Sequence, residues 1–191
     1  DVIKELVAMT PGPYIHIGGD ESHVTEHDDY VFFVNKVQDI VNKYGKQMIG
    51  WDEVANADLK SQNVAQHWAF KKQAQSAVAA GAKVIISPAR KAYMDMKYDS
   101  TTVLGLKWAN TIEVDTSYMW NPENIVPGID MSSILGVEAP LWSETISNMD
   151  DIEYMAFPRL ASYAELGWTN KSQRSWDDFK VRLGKEQSRY E

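Results

Sequence analysis

Two adjacent carboxylates, Asp20 and Glu21, follow a short apolar segment and two glycines. The segment, residues 14–17, is rich in β-branched and aromatic residues, which predicts a buried strand. A regular strand points successive side chains to opposite faces, but Gly18 and Gly19 allow the backbone to leave strand geometry, so both acids can face one cavity. Two carboxyl groups at the end of a strand indicate acid–base chemistry. For the dipeptide alone, a corner with two solvated acids is the simpler interpretation.

Composition excludes several classes of partner. The chain has 191 residues, 44% hydrophobic and 24% charged, which fits one globular domain, and its net charge of −8 disfavours a nucleic-acid surface. A neutral sugar is compatible with this charge. The absence of cysteine excludes disulfides and thiolate metal sites. No apolar run reaches the roughly 18 residues of a membrane span, so no membrane partner is expected.

The remaining pattern alternates strands and helices. Apolar runs predict strands at residues 14–17, 47–51, 63–68, 83–87 and 134–142. Helical spacing predicts helices at about residues 28–44, 71–80, 151–166 and 175–188, the first capped by Asp28 or Asp29. Between residues 88 and 131 no periodicity dominates, which is typical of a long functional excursion with short helical turns.

This alternation predicts an α/β fold with a parallel sheet. The candidate functional residues follow the ends of predicted strands. Active sites lie at the carboxyl ends of strands in both doubly wound sheets and (β/α)₈ barrels, so the pattern alone does not choose between them.

Two motifs resemble glycoside hydrolase family 20, the β-N-acetylhexosaminidases. The first is His16-x-Gly18-Gly19-Asp20-Glu21, and the second is Phe157-Pro158-Arg159-Leu160 followed by Ala164-Glu165 and Trp168. The resemblance runs in order from about residue 11 to about residue 170. It implies a (β/α)₈ TIM-type barrel in which residues 1–191 are the C-terminal portion of the catalytic domain and supply roughly strands four to eight.

The resemblance also implies a mechanism. Family 20 enzymes are retaining, exo-acting β-N-acetylhexosaminidases that use substrate-assisted catalysis, in which the sugar's own 2-acetamido oxygen attacks the anomeric carbon. Carried over by position, Glu21 is the general acid and then the base for water. Asp20 holds the acetamido N–H and offsets charge on an oxazolinium-like intermediate, and Tyr93 donates a hydrogen bond to the acetamido oxygen.

The expected substrate-binding residues also come from the resemblance. Trp51, Trp68 and Trp142, each at the end of a predicted strand, match the family's aromatic box, and Asp95 and Glu144 match its sugar-hydroxyl ligands. The expected partner is a glycan ending in N-acetylglucosamine or N-acetylgalactosamine, with no cofactor and no metal. Taken singly, each tryptophan is better explained by core packing, and each acid by solvation.

Other interpretations remain open. The chain could be a carbohydrate-binding remnant without catalysis, although a lectin needs no proton donor, or a metal-dependent hydrolase that a chelator would inhibit. His16 could orient a carboxylate but is better explained as a hydrogen-bonded core histidine. A loop containing Glu26, His23, His27 and Asp28 matches no metal-ligand template. Trp108 and Trp120 form a further sugar platform or simply pack.

The predicted elements are too few for a closed barrel. Five strands are predicted where a (β/α)₈ barrel has eight, and residues 1–9 resemble the end of an amphipathic helix. We therefore expect a piece of a longer, secreted or cell-surface enzyme. An open sheet exposes two edges, so self-association or a missing N-terminal half should stabilise it, and alone it should be nearly inactive.

Overall fold

A computed structural model of the protein describes residues 1–190, which divide into two compact units. The first unit comprises Asp1–Ile86 and Ile125–Gly136, and the second comprises Ser87–Asn124 and the described residues from Val137 onward. Among the described residues, no helix is both long enough and apolar enough to span a bilayer.

The first unit is built on a five-stranded sheet whose strands are adjacent in chain order. The strands are β1 (Tyr14–His16), β2 (Gln47–Trp51), β3 (Val64–His67), β4 (Lys83–Ile86) and β5 (Ile134–Val137). Parallel pairing places Ile15 beside Met48, Gly50 beside Ala65 and Ala65 beside Val84. The parallel α/β sheet expected from the sequence is therefore confirmed.

Two of the three helices of the first unit, the second and the third, pack on this sheet through small and branched side chains. The three helices are α1 (Val2–Met9), α2 (His27–Lys43) and α3 (Lys71–Ala79), and a 3₁₀ turn over Asp52–Asn56 follows β2. Val34 and Val41 of α2 and Ala74 and Ala77 of α3 are buried, while α1 buries no residue. The proposed cap of α2 was wrong, because Glu26 occupies the N-cap and both Asp28 and Asp29 lie in the first turn, where the helix dipole favours them.

A buried amide fixes α2 against the sheet. Asn63, fully buried before β3, accepts hydrogen bonds from Met48 N (3.0 Å) and Asn42 Nδ2 (2.9 Å) and donates to Gln38 Oε1 (2.9 Å). Buried amides that satisfy their partners specify one arrangement of the elements around them. The position of α2 is thus set by polar contacts as well as by packing.

The second unit contains mostly short helices. They are α4 (Ala89–Ala92), α5 (Val114–Tyr118), α7 (Met149–Ala156), α8 (Arg159–Trp168) and α9 (Trp176–Lys185), while α6 (Pro122–Ile125) spans the boundary between the units. The short helices α4, α5 and α6 confirm the excursion expected over residues 88–131. Single-turn 3₁₀ segments occur at Met131–Ser133, Lys171–Gln173 and Gln187–Arg189.

Two predicted elements differ from the structure at prolines. The helix expected over residues 151–166 is two helices, α7 and α8, separated at Phe157 and Pro158. The strand expected over residues 134–142 ends at Val137, three residues before Pro140. Proline has no backbone N–H and disfavours helical geometry in the residue before it, which explains the break in the helix and limits strand pairing at residue 140.

A single arginine organises the core of the second unit. Arg159, fully buried at the start of α8, donates from Nη1 to Met96 O (2.6 Å) and Ile112 O (3.0 Å) and from Nη2 to Met94 O and Met155 O (2.6 Å). Its guanidinium also lies 3.8 Å from the centre of the Tyr98 ring. One side chain thereby connects α8 to two separate stretches of the excursion.

Candidate active site

The turn after β1 carries the two candidate catalytic acids in an unusual backbone conformation. Gly18 and Gly19 have φ of 73° and 97°, and Glu21 has φ of 50°, all in the left-handed region. Non-glycine residues adopt this region at a cost, and such outliers concentrate at functional sites. The departure from strand geometry expected at the glycines is confirmed, and Asp20 and Glu21 are both exposed.

Hydrogen bonds hold this turn against β2 and α2. Trp51 N donates to Gly18 O at 2.9 Å, and Tyr30 Oη donates to Gly19 O at 2.7 Å. Burial, together with the negative charges of Glu53 and Asp20, raises the pKa of Tyr30. The phenol therefore stays protonated and remains a donor to the turn.

Close packing beneath the turn leaves no room for side chains at two glycines. A Cβ at Gly19 would lie 2.9 Å from Val54 Cγ1, and a Cβ at Gly50 would lie 2.3 Å from the same atom and 3.0 Å from Gly18 O. These distances are shorter than ordinary carbon contacts. Val54 thus fills the space below the acids.

His16 lies beside one of the candidate box residues. Its Nδ1 accepts from Gly18 N at 3.0 Å, its Nε2 lies 3.2 Å from Gln66 Oε1, and its ring meets the Trp51 ring edge-on at 5.3 Å between centroids. The expectation of a core histidine was wrong, because His16 is exposed, although it is hydrogen-bonded as expected. Trp51 itself is buried.

Trp68, directly after β3, is held at its backbone by a buried acid. Asp52 Oδ2 accepts from Trp68 N (3.0 Å), Ala69 N (2.9 Å) and Phe70 N (2.8 Å), and both its carboxylate oxygens lie 3.2 Å from His67 Nδ1. Asp52 is fully buried. Multiple N–H donors are what a buried carboxylate requires to offset its desolvation.

Glu53, which belongs to neither sequence motif, connects two candidate site residues. Its Oε1 accepts from Glu21 N at 3.3 Å, and its Oε2 accepts from Trp68 Nε1 at 3.2 Å. Burial raises its pKa, against the lowering effect of the Trp68 hydrogen bond. Its place just past the end of β2 was visible in the sequence, but which groups it would reach was not.

The second unit holds the other candidate residues. Tyr93 is buried, and its ring centre lies 6.0 Å from that of Trp142 and 5.8 Å from that of Trp108. Trp108 is exposed beside Tyr93, which is compatible with a sugar platform. Trp120 is buried, donates from Nε1 to Ser117 O at 2.9 Å and packs on Tyr163, which favours the packing interpretation for that residue.

Asp95 is a buried acid in the same unit. It is 2% exposed, and neither carboxylate oxygen accepts a well-formed hydrogen bond from any residue in the range 1–190. Burial raises its pKa to about 6, Glu144 adds to the rise, and nearby backbone N–H groups of Asp95 and Trp142 oppose it. Arg159 donates to the backbone carbonyls of Met94 and Met96, and its positive charge also lowers the pKa of Asp95.

Asp95 should make folding stability depend on pH. Its ordinary pKa is 3.8, so between about pH 4 and 6 the unfolded chain ionises Asp95 while the folded protein keeps it protonated. Stability relative to Asp95→Asn should therefore fall as pH rises through this window, by about 1.4 kcal/mol per unit of pKa difference. Urea unfolding of both proteins at a series of pH values measures this difference.

The matched control for that series is Glu153→Gln, which replaces an exposed acid on α7. This variant shows what the removal of an exposed carboxylate does to stability over the same pH range, for comparison with the removal of the buried one. A flat difference for Asp95→Asn would contradict the assignment of a raised pKa to Asp95.

The remaining candidates are exposed side chains. Glu144 is exposed, and so are His23, Glu26, His27 and Asp28, as expected for a solvated loop. Within residues 1–190, no group of three histidine, cysteine, aspartate or glutamate side chains is placed to hold a metal ion.

Sequence comparison relates nearly the whole chain to one family. Residues 1–171 match the family described as glycosyl hydrolase family 20, catalytic domain. A β-N-acetylhexosaminidase of Cellulomonas fimi is 44% identical over 186 residues, which is 96% of this chain and 38% of that protein. The chain therefore spans well under half the length of this relative.

Solved structures give the same relation. The family 20 β-N-acetylhexosaminidase of Streptomyces coelicolor A3(2) is 47% identical, with a TM-score of 0.94 over 97% of this chain and 39% of its own. A mutant of Streptomyces plicatus β-hexosaminidase, in complex with its product GlcNAc, is 46% identical with a TM-score of 0.94, over 97% of this chain and 38% of its own. These similarities confirm the (β/α)₈-type fold class, of which the five strands form a part.

Proposed function

The chain belongs to glycosyl hydrolase family 20, and on that basis we propose that it forms the C-terminal portion of a retaining, exo-acting β-N-acetylhexosaminidase domain. The substrate is a glycan that ends in N-acetylglucosamine or N-acetylgalactosamine. Related enzymes carry the name β-N-acetylhexosaminidase, and one neighbour binds GlcNAc as its product.

The observation that carries this proposal is the turn after β1. It combines the motif residues Asp20 and Glu21 with a left-handed backbone and hydrogen bonds to β2 and α2. A strained backbone that its surroundings hold in place is typical of a site where side chains must be aimed. The exposure of both acids leaves them accessible to a substrate.

In the proposed reaction, the 2-acetamido oxygen attacks the anomeric carbon while Glu21 donates a proton to the leaving oxygen. The glycosidic bond breaks and an oxazolinium ion forms, whose positive charge Asp20 offsets while it accepts from the acetamido N–H. Glu21, now a carboxylate, then takes a proton from the water that attacks the anomeric carbon. Two displacements at that carbon retain its configuration.

The remaining candidates bind the sugar in this proposal. Trp51, Trp68 and Trp142 enclose the acetamido group, and Tyr93 donates to its oxygen, which keeps the nucleophile oriented and dry. Asp95 and Glu144 accept from sugar hydroxyls. Within residues 1–190 the buried Asp95 oxygens accept no well-formed hydrogen bond, which supports this role because a sugar hydroxyl would supply one.

The test is hydrolysis by the whole protein of an aryl N-acetyl-β-glucosaminide, with the matching aryl β-glucoside as the control substrate. Only the acetamido substrate should react, and an N-acetylglucosamine thiazoline should inhibit as a mimic of the intermediate. The first-formed product should be the β-anomer. Sugar binding without hydrolysis would favour a binding module, and loss of activity on adding a chelator would favour a metal-dependent enzyme.

Mass spectrometry tests the role of Asp20 separately. If the acetamido group is the nucleophile, no covalent glycosyl-enzyme should accumulate, even with a 5-fluoro sugar that slows the second step. A fluorosugar trapped on Asp20 would show that the nucleophile is this carboxylate and not the acetamido group.

A further inference from the structure

Glu53 uses its two carboxylate oxygens for two different elements. Oε1 accepts from the backbone N–H of Glu21, at 3.3 Å, in the turn after β1, and Oε2 accepts from the indole N–H of Trp68, at 3.2 Å, after β3. Glu53 itself lies on the 3₁₀ turn that follows β2. One carboxylate thus links the ends of three consecutive strands.

Neighbouring acids on this 3₁₀ turn hold Trp68 at two points. Asp52 accepts from the Trp68 backbone N–H at 3.0 Å, and Glu53 accepts from its indole N–H. Backbone and ring are therefore both bonded to residues adjacent in sequence. A backbone bond alone leaves the side-chain torsions free, so the indole plane is held by the Glu53 contact together with the Phe70 ring, which meets it edge-on at 5.7 Å between centroids.

The environment of Glu53 does not fit a solvated surface acid. Its side chain is half-buried, and burial raises its pKa despite two N–H donors. The negative charge of Asp52 adds to the rise in the pKa of Glu53, and Glu53 and Asp20 in turn raise the pKa of Tyr30 on α2. Half-burial of a carboxylate costs desolvation energy, and the hydrogen bonds from Glu21 N and Trp68 Nε1 are the contacts that offset it.

We propose that Glu53 is a positioning residue that couples the backbone of the general acid Glu21 to the ring of the box residue Trp68. The proposal rests on the function proposed above. Through this coupling, the proton donor and the wall of the acetamido pocket keep one relative placement while the substrate reacts. In this proposal Glu53 acts only through its contacts with Glu21 N and Trp68 Nε1.

Glu53→Gln separates this role from simple packing. Glutamine has nearly the same shape, but only one of its terminal atoms accepts hydrogen bonds, so it cannot accept from Glu21 N and Trp68 Nε1 together. A displacement of about 1 Å in a site can cost on the order of 10²-fold in rate. We expect kcat/KM for the aryl N-acetyl-β-glucosaminide to fall about 10-fold or more, with unfolding temperature little changed.

A readout independent of activity is the indole N–H resonance of Trp68, assigned by its loss in Trp68→Phe. In the wild type it should titrate with a midpoint above 4.5, the ordinary pKa of a glutamate, because its acceptor is Glu53. The titration should vanish in Glu53→Gln and persist in Asp20→Asn, which removes the nearby acid without touching the bond. Should Glu53→Gln fail to fold, the wild-type and Asp20→Asn titrations still decide.

The outcomes separate the two proposals. Hydrolysis by the wild type, with kcat/KM and the Trp68 resonance unchanged in Glu53→Gln, would overturn the role of Glu53 and leave the proposed function standing. A whole protein, with the N-terminal part of its barrel, that never hydrolyses the substrate would overturn the proposed function, and the resonance would still show whether Glu53 holds the ring. A Trp68 resonance that does not respond to pH would remove the basis of the coupling.

Discussion

Glu21→Gln should lower kcat/KM of the whole protein by about 10²-fold or more on a substrate with a poor leaving group, such as a second sugar. The amide cannot donate the proton that an alkoxide leaving group needs. An activated nitrophenyl leaving group departs without full protonation, so its loss of rate should be smaller. The contrast between the two substrates identifies proton donation as the function that was removed.

This substitution should remove the acid without disturbing the turn that carries it. The contact of Glu21 with Glu53 uses its backbone N–H, which glutamine retains, and the side chain is exposed, so the fold of the turn should persist. Glu5→Gln, at an exposed position on α1, is the matched control and should keep full activity. Equal losses on both leaving groups would show that Glu21 is not the acid.

Arg159→Met should destabilise the protein by about 3–5 kcal/mol, the cost of breaking a buried charged network. Methionine fills similar space but leaves four carbonyls, those of Met94, Met96, Ile112 and Met155, without their donor. Each buried acceptor that loses its partner costs about 1–3 kcal/mol. Urea unfolding at constant pH measures the loss.

Two further variants test whether the loss of stability comes from the buried guanidinium. Arg159→Lys keeps the charge but not the planar set of donors, so it should lose much of the same stability. Arg189→Met, at a side chain that is 79% exposed and paired with Glu186, should change stability by less than about 1 kcal/mol. A small effect of Arg159→Met would mean that the second unit does not depend on this arginine.

The order of the elements could be predicted from the sequence because strands and helices differ in hydrophobic period. Residues 47–51 were expected as a strand and form β2 with the same bounds, since a short apolar run between Gly45 and two acids has few alternatives. Prolines explain the two largest errors in the bounds of the elements. Pro158 divides a helical pattern whose period continues across it, and the apolar run that contains Pro140 leaves the sheet after Val137.

Roles that depend on contacts across the sheet could not be predicted. Glu53 resembles any acid past the end of a strand, and only the register of β1, β2 and β3 brings it to Glu21 and Trp68. Arg159 was visible within a family motif, yet its carbonyl partners lie 47 to 65 residues earlier, apart from Met155. The placement of the candidate residues around a sugar stays a prediction.

Because Val54 packs beneath the acid-bearing turn, the substitutions that evolution can accept at positions 19, 50 and 54 depend on one another. A methyl group of Val54 occupies the space that a side chain at Gly19 or Gly50 would need. A change at either glycine is therefore open to this lineage only after residue 54 has become smaller. Even then Gly50 faces Gly18 O, and Gly19 keeps its left-handed backbone. The order in which mutations arise, and not only their identity, decides which sequences can reach this turn.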